Sequence, residues 1–137
     1  MARRFRVEIV TPERLVLSEE AESLIVPAER GYLGVLAGHA PLLCTLKPGE
    51  ITIRREGKES HFATSGGFME VTQKKATLLT ESLEDPAAID RDRAREAKKR
   101  AEDRLASHDP SVDPDRARAA LARALNRIRL SSKYGGN

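Results

Sequence analysis

The chain has 137 residues, 39% hydrophobic and 33% charged, with a net charge of +3, no tryptophan and the single cysteine Cys44. This length suits one ordinary domain or a small domain with an appendage. One cysteine excludes a disulfide framework and a Cys-based zinc site. No stretch approaches the ~18 consecutive apolar residues of a membrane-spanning helix. The basic N-terminal residues Arg3 and Arg4 are followed by no apolar leader segment, so a soluble cytoplasmic chain is expected. The charges are not evenly spread. Residues 1–85 carry 11 basic and 13 acidic side chains, net −2, and residues 86–137 carry 13 and 8, net +5. An acidic front part joined to a basic tail predicts two units with different tasks.

In chain order, the front part reads as strands. Phe5, Val7 and Ile9 alternate with Arg4, Arg6 and Glu8, the period-2 pattern of a half-buried strand. Thr11-Pro12-Glu13 interrupts it, Leu15-Val16-Leu17 resumes it, and Ser23-Leu24-Ile25-Val26 is an apolar run stopped by Pro27. A glycine-punctuated segment follows, from Gly31 through Gly34 and Gly38 to His39. Lys47-Pro48-Gly49-Glu50 reads as a turn, Ile51-Thr52-Ile53 as a strand, and Glu56-Gly57-Lys58 as a second turn. Strands are then expected at His61-Phe62-Ala63-Thr64, Phe68-Met69-Glu70-Val71 and Ala76-Thr77-Leu78-Leu79-Thr80, with a turn at Ser65-Gly66-Gly67. Short runs at this spacing predict a β-sandwich or barrel. The glycines serve turns. His39 and His61 have no third partner for a metal, and Ser65-Gly66-Gly67 lacks the lysine and helix start of a phosphate loop.

The back part reads as two helices. Asp85-Pro86 supplies an N-cap and a proline at the first helical position, with no glycine or proline up to Ser107. Asp113-Pro114 repeats the signal for a run to about Ser132. Ser107-His108-Asp109-Pro110-Ser111 separates them, giving an antiparallel two-helix hairpin and an α+β chain with domains 1–85 and 86–137. Two helices of roughly 20 residues are each ~30 Å long. Their apolar faces are thin: Ala94, Ala97, Ala101 and Leu105 on the first, and Ala117, Ala120, Leu121, Ala124, Leu125 and Ile128 on the second. Helices of high propensity held by methyl groups can persist when the hairpin opens.

Three segments together resemble the epsilon subunit of the bacterial F-type ATP synthase: Val10-Thr11-Pro12-Glu13, the glycine segment from Gly31 to Leu42, and Ser65-Gly66-Gly67-Phe68-Met69-Glu70-Val71. The order of β part and helices fits as well. Tyr32 stands where that family commonly has an acidic residue, and Ala37 where it commonly has proline. The resemblance implies a non-catalytic, proton-translocating-motor subunit on the cytoplasmic face of the cell membrane. The β part would bind the gamma subunit and the c-ring. The hairpin would either fold down or extend among the alpha and beta subunits, where it would hinder ATP hydrolysis.

The basic residues of the tail are ordered. Arg93, Arg100 and Arg104 are spaced seven and four apart, as are Arg116, Arg123 and Arg127, so each helix carries one arginine stripe. Two such stripes brought together favour an anion between them, and guanidinium forks suit phosphate oxygens. The bland alternative is a solvated face balanced by acids such as Glu96 and Asp103. Here the resemblance adds a ligand. Ile89-Asp90-Arg91-Asp92-Arg93-Ala94 is similar to the motif of those epsilon subunits that bind ATP in the folded hairpin. It implies a site of Glu84, Ile89, Asp90, Arg93, Ala94, Arg100, Arg116, Arg123 and Arg127. Asp90 and Glu84 would face the adenosine, the arginines would face the phosphates, and no metal is required. A nucleic-acid-binding hairpin is the rival reading of the basic tail. Against it, only Tyr134 among the aromatic residues lies in the tail for stacking on bases.

Overall fold

The structure, a computed structural model, describes residues 3–135; Met1, Ala2, Gly136 and Asn137, the extreme ends of the two expected domains, lie outside the described residues. The chain forms two compact units that divide between Glu84 and Asp85.

The first unit contains β1 (Phe5–Val10), β2 (Leu15–Ala21), β3 (Ser23–Ala28), β4 (Gly31–Leu36), β5 (Leu42–Leu46), β6 (Gly49–Arg55), β7 (Lys58–Thr64), β8 (Gly67–Val71), β9 (Lys75–Thr80) and β10 (Leu83–Glu84). They form one sheet in the order β10-β7-β6-β3-β5-β8-β9-β1-β2, with β4 paired to β3 outside this path. All neighbours are antiparallel except β1 and β9. The β3–β5 link is a single residue pair, Ala28 opposite Leu46, so the ladder is thinnest there and the sheet can bend. At the far end the Glu22 amide donates to the Arg54 carbonyl at 2.8 Å, tying the end of β2 to β6 and nearly closing a barrel.

Alternation drives this unit. Phe5, Val7 and Ile9 of β1 are buried, as are Leu24 and Val26 of β3, Ile51 and Ile53 of β6, Met69 and Val71 of β8, and Ala76 and Leu78 of β9, in one continuous core. The two-residue turn between Arg55 and Lys58 has positive φ at both Glu56 (52°) and Gly57 (76°), the type I′ geometry that matches the twist of a hairpin. Gly67 has φ 150°, and a Cβ there would lie 1.9 Å from the Leu79 carbonyl oxygen, so only glycine lets β8 and β9 approach at this point.

The structure corrects several boundaries. Gly31–Leu36 is a full strand, because Val35 turns into the core and Gly34 sits opposite Ile25 in the ladder. Gly49 and Glu50 belong to β6 rather than to a turn, and the two-residue strand β10 was not expected.

In the second unit the first helix begins later than Asp85-Pro86 suggests. The Asp85 carboxylate does cap a turn, accepting from the Ala87 amide at 2.9 Å, but that turn is a 3₁₀ segment, Pro86–Ala88, and Ile89 returns to extended backbone. Asp90 then caps a second start, accepting from the Arg93 amide at 3.1 Å, and α1 runs over Arg91–Ala106. Two aspartates five apart therefore compete as caps, and each takes its own turn. After a loop, Asp113 accepts from the amides of Asp115 and Arg116, and α2 spans Pro114–Tyr134. The antiparallel seam buries Ala94 and Ala101 of α1 and Ala117 and Ala124 of α2. Leu125, expected on the apolar face, is 44% exposed, whereas Asn126, Leu130 and Ser131 are buried. Leu125 sits about 80° around the helix from Ala117 and about 100° from Ala124, past the edge of the face that meets α1.

Truncating Met69, fully buried at the centre of the core, to alanine is expected to cost about 2–5 kcal/mol of stability in urea unfolding followed by circular dichroism. Gly67→Ala is expected to cost at least as much, because its Cβ meets backbone that has no room to yield.

Candidate functional site

The arginine stripes lie where helical geometry puts them. About 100° per residue places Arg93, Arg100 and Arg104 within about 40° of arc on α1, and Arg116, Arg123 and Arg127 likewise on α2. Each stripe flanks the buried alanine seam. Arg93, Arg100, Arg104 and Arg116 are exposed, while Arg123 and Arg127 are half-buried.

Among the described residues, the ion pairs of the hairpin's acids leave Arg104, Arg116 and Arg123 aside. Asp92 pairs with Arg95 at 3.3 Å, Asp103 with Lys99 at 3.5 Å, and Asp115 with Arg118. All three are exposed pairs three or four residues apart on one helix, the weakly stabilising kind. Among the described residues, no carboxylate lies within ion-pair distance of Arg104, Arg116 or Arg123. Asp103 pairs with Lys99 rather than with the stripe.

At the loop end Arg104, Arg116 and Arg123 line one cleft of about 560 Å³, with Ser111, Val112 and Asp113 on its rim and Ala117 and Ala120 as its floor. Three guanidinium groups line this cleft, a chemistry that suits phosphate oxygens, while the amides at the start of α2 are taken by the Asp113 carboxylate. The other expected residues gather elsewhere. Ile89 and Asp90 line a second cleft of about 340 Å³ at the open end of the hairpin, with Arg91, Asp92, Ser131 and Gly135. The two ends are about 20 Å apart along α1, at 1.5 Å per residue from Arg91 to Arg104. Arg93, Arg100 and Arg127 fall outside the lining of both clefts. Ala94 is a buried seam residue. Glu84 belongs to β10 of the first unit, opposite Ala63 of β7. Arg104 was visible in the spacing but lay outside the set carried by the motif. Arg91 and Ser131, which meet across 40 residues of sequence, left no signal in the sequence.

Other candidate chemistry is weak. Burial raises the Cys44 thiol above its ordinary value, which suits packing rather than nucleophilic attack. Among the described residues no group of three or more metal-ligating side chains converges. Among the described residues, no helix is long and apolar enough to cross a membrane. The Lys133 ammonium lies 4.9 Å above the Tyr134 ring, so that face is not offered to a nucleic-acid base.

The first unit carries its own surface. Phe68 on β8, Leu79 on β9, Val10 on β1 and Leu15 on β2 are successive ladder partners and form one apolar row across four strands. Phe68, Leu79 and Leu15 are each more than half exposed. An exposed apolar row of this kind is a surface that a partner could cover. Tyr32 and Leu36 are exposed on β4, and the Tyr32 hydroxyl accepts from the Glu50 amide at 3.1 Å, which pins that strand to the start of β6.

Residues 4–86 match the beta-sandwich domain of the ATP synthase delta/epsilon chain, and residues 88–132 match the long alpha-helix domain of the same chain. The chain belongs to the ATP synthase delta/epsilon chain family. An ATP synthase epsilon chain of Nitratidesulfovibrio vulgaris is 48% identical over 95% of this chain and 97% of its own. That of Desulforamulus reducens is 44% identical over 94% and 98%. The fold resembles a chain of the Euglena gracilis mitochondrial ATP synthase, determined as the OSCP/F1/c-ring assembly, with a TM-score of 0.82 at 22% identity over 96% of this chain and 82% of that one. A chain of the Tetrahymena thermophila mitochondrial ATP synthase central stalk and c-ring gives 0.58 at 16% identity over 98% of both. The family recognised in the sequence and its β-sandwich plus two-helix fold are thereby borne out.

The loop at the cleft rim has its own acid–base signature. The Asp109 carboxylate accepts from the Ser111 amide and hydroxyl, both at 2.9 Å, and these bonds hold its carboxyl below the usual carboxylate range. A lowered folded value stabilises the turn above the ordinary carboxylate pKa, and that contribution is lost as pH falls through the folded value. An NMR titration is expected to give Asp109 a lower midpoint than an ordinary aspartate, and Ser111→Ala, which removes only the hydroxyl, is expected to raise it partway.

Proposed function

We propose that the chain is the non-catalytic epsilon subunit in the central stalk of a bacterial F-type ATP synthase, peripheral to the cytoplasmic face of the membrane, and that its hairpin senses ATP. The β unit docks on the gamma subunit through its apolar row and on the c-ring through the exposed strand that carries Tyr32 and Leu36. The helices, when extended, reach the alpha and beta subunits and hinder hydrolysis. When folded together they bind ATP and leave rotation free. The observation that carries the ATP reading is the cleft of Arg104, Arg116 and Arg123, three guanidinium groups with no carboxylate partner among the described residues. Phosphates entering at the loop end would meet these groups.

The switch follows from linkage. A ligand that binds only the folded hairpin stabilises it by RT ln(1 + [L]/Kd), about 2.7 kcal/mol at a hundredfold excess over Kd. A seam of methyl groups leaves folded and extended states close enough in free energy for a shift of that size to decide between them. High ATP then keeps the brake off, and falling ATP releases it.

Calorimetric titration of the full chain with ATP is expected to show saturable binding, weakened about tenfold or more by Arg123→Ala, the loss expected for one charge-assisted phosphate contact. Absence of saturable binding up to millimolar ATP, or an unaltered affinity in Arg123→Ala, would overturn the reading. Deleting residues 86–137 from the assembled motor is expected to raise ATP hydrolysis at low ATP, and an unchanged rate would refute the brake.

A further inference from the structure

At the loop end the two helices are joined by the chain itself. At the open end they are joined by side chains. Arg91, the first residue of α1, reaches across to α2, where its Nε donates to the Ser131 hydroxyl at 2.7 Å and its Nη2 to the Ser131 carbonyl oxygen at 2.6 Å. Ser131 is 3% exposed, so these bonds are shielded from competing water. The same carbonyl also accepts from the Gly135 amide at 2.9 Å. Gly135 packs so closely that a Cβ would lie 2.5 Å from that oxygen and 2.9 Å from the Pro86 carbonyl oxygen, which brings the end of α2 directly onto the turn that precedes α1.

We propose that Arg91 and Ser131 form a latch that sets how often the ligand-free hairpin opens. The inference rests on the proposed function in one respect, that the hairpin opens at all. Three physical arguments carry it. Apart from Leu130, the apolar side chains buried in the two helices are alanines, so a two-pronged bond from a cation is among the strongest single contacts between them. The guanidinium lies at the C-terminal end of α2, where the helix dipole favours a positive charge. Separation of a hairpin must also begin at its open end, because the loop end is held covalently, so a contact there is the first to break in any opening.

The latch serves a second purpose at the same place. Arg91 and Ser131 line the open-end cleft together with Ile89 and Asp90. Holding the first residue of α1 against α2 therefore fixes the shape of that cleft. Arg91 acts there as a positioning residue: closure of the latch and shaping of that cleft are one event.

The test measures opening without any ligand. In the full chain with Cys44→Ser, spin labels at Glu96→Cys and Ser132→Cys, both exposed positions on facing ends of the helices, report a short distance when the hairpin is closed and a long one when it is open. Arg91→Ala removes both bonds and is expected to raise the long-distance population about tenfold, the equivalent of losing a charged hydrogen bond. Ser131→Ala removes only the hydroxyl prong and leaves the one to the carbonyl, so it should raise it about threefold, less than Arg91→Ala. Arg91→Lys, which keeps the charge but not the fork, should fall between wild type and Arg91→Ala. If a long-distance population is present but identical in wild type, Arg91→Ala and Ser131→Ala, the latch is refuted while opening stands. If no variant ever shows the long distance, opening itself is refuted, and the latch with it. Circular dichroism of each variant confirms that the sheet of the first unit is intact, and Ser131→Ala carries the test should Arg91→Ala misfold.

Discussion

The constraint on which the hairpin depends is that, Leu130 aside, the apolar side chains it buries on its two helices are alanines. A buried methyl contributes only about 0.8 kcal/mol of transfer free energy, and Ala94, Ala101, Ala117 and Ala124 are the buried contributors along most of its length. Alanine also has the highest intrinsic helix propensity. The same choice of residue thus makes each helix stable by itself and makes the pairing of the two weak. Any contact worth a kilocalorie or more then has leverage over closure, and such contacts lie at the two ends: the Arg91 fork on Ser131 at one, and the arginine-lined cleft at the other.

The first unit is built on the opposite plan. Ile9, Leu24, Ile51, Ile53, Met69 and Leu78 are fully buried in one core, and an almost unbroken ladder runs from β10 to β2. Large-to-small changes in such a core cost several kilocalories, so this body keeps its shape. A rigid body that exposes the row from Phe68 to Leu15, joined to a weakly closed hairpin, suits a part that is held in place by one unit and signals with the other.

Much of the fold was legible because its causes are local. Phe5, Val7 and Ile9 announce β1 by alternation, and Asp113-Pro114 announces α2 by capping chemistry. The misses arose where local signals competed or tertiary pairing decided. Asp85 and Asp90 are both good caps, and only the extended Ile89 between them settles that α1 starts at Arg91. The strand Gly31–Leu36 reads as loop because its glycines hide a pairing with β3 that the sequence does not display. At the site, helical spacing was enough to align the stripes. It does not show that Ile89 and Asp90 serve one cleft while Arg116 and Arg123 serve another. Nor does it show that Arg91 belongs with a serine 40 residues away. The motif joins residues into a set, but their axial level on two antiparallel helices depends on the loop and the register.

The net charge of the tail has become a question of sorting. Arg95, Lys99 and Arg118 find acids on their own helix, whereas Arg104, Arg116 and Arg123 find none among the described residues. Like charges gathered at one cleft oppose closure when the cleft is empty, and Arg123 with Arg127 adds an unfavourable i, i+4 pair within α2. An anion in the cleft reverses the sign of that term, so the bound hairpin gains both the new attraction and the relief of the old repulsion. In the proposed ATP switch the arginines enlarge the difference a phosphate ligand makes between the empty and the filled hairpin, and that difference, rather than affinity alone, determines how far a ligand can shift a two-state element. The proposed latch at the far end complements this arrangement. It would supply a closing contribution that does not depend on the ligand, so the balance point of the proposed switch would be set by Arg91 and its response by the stripe.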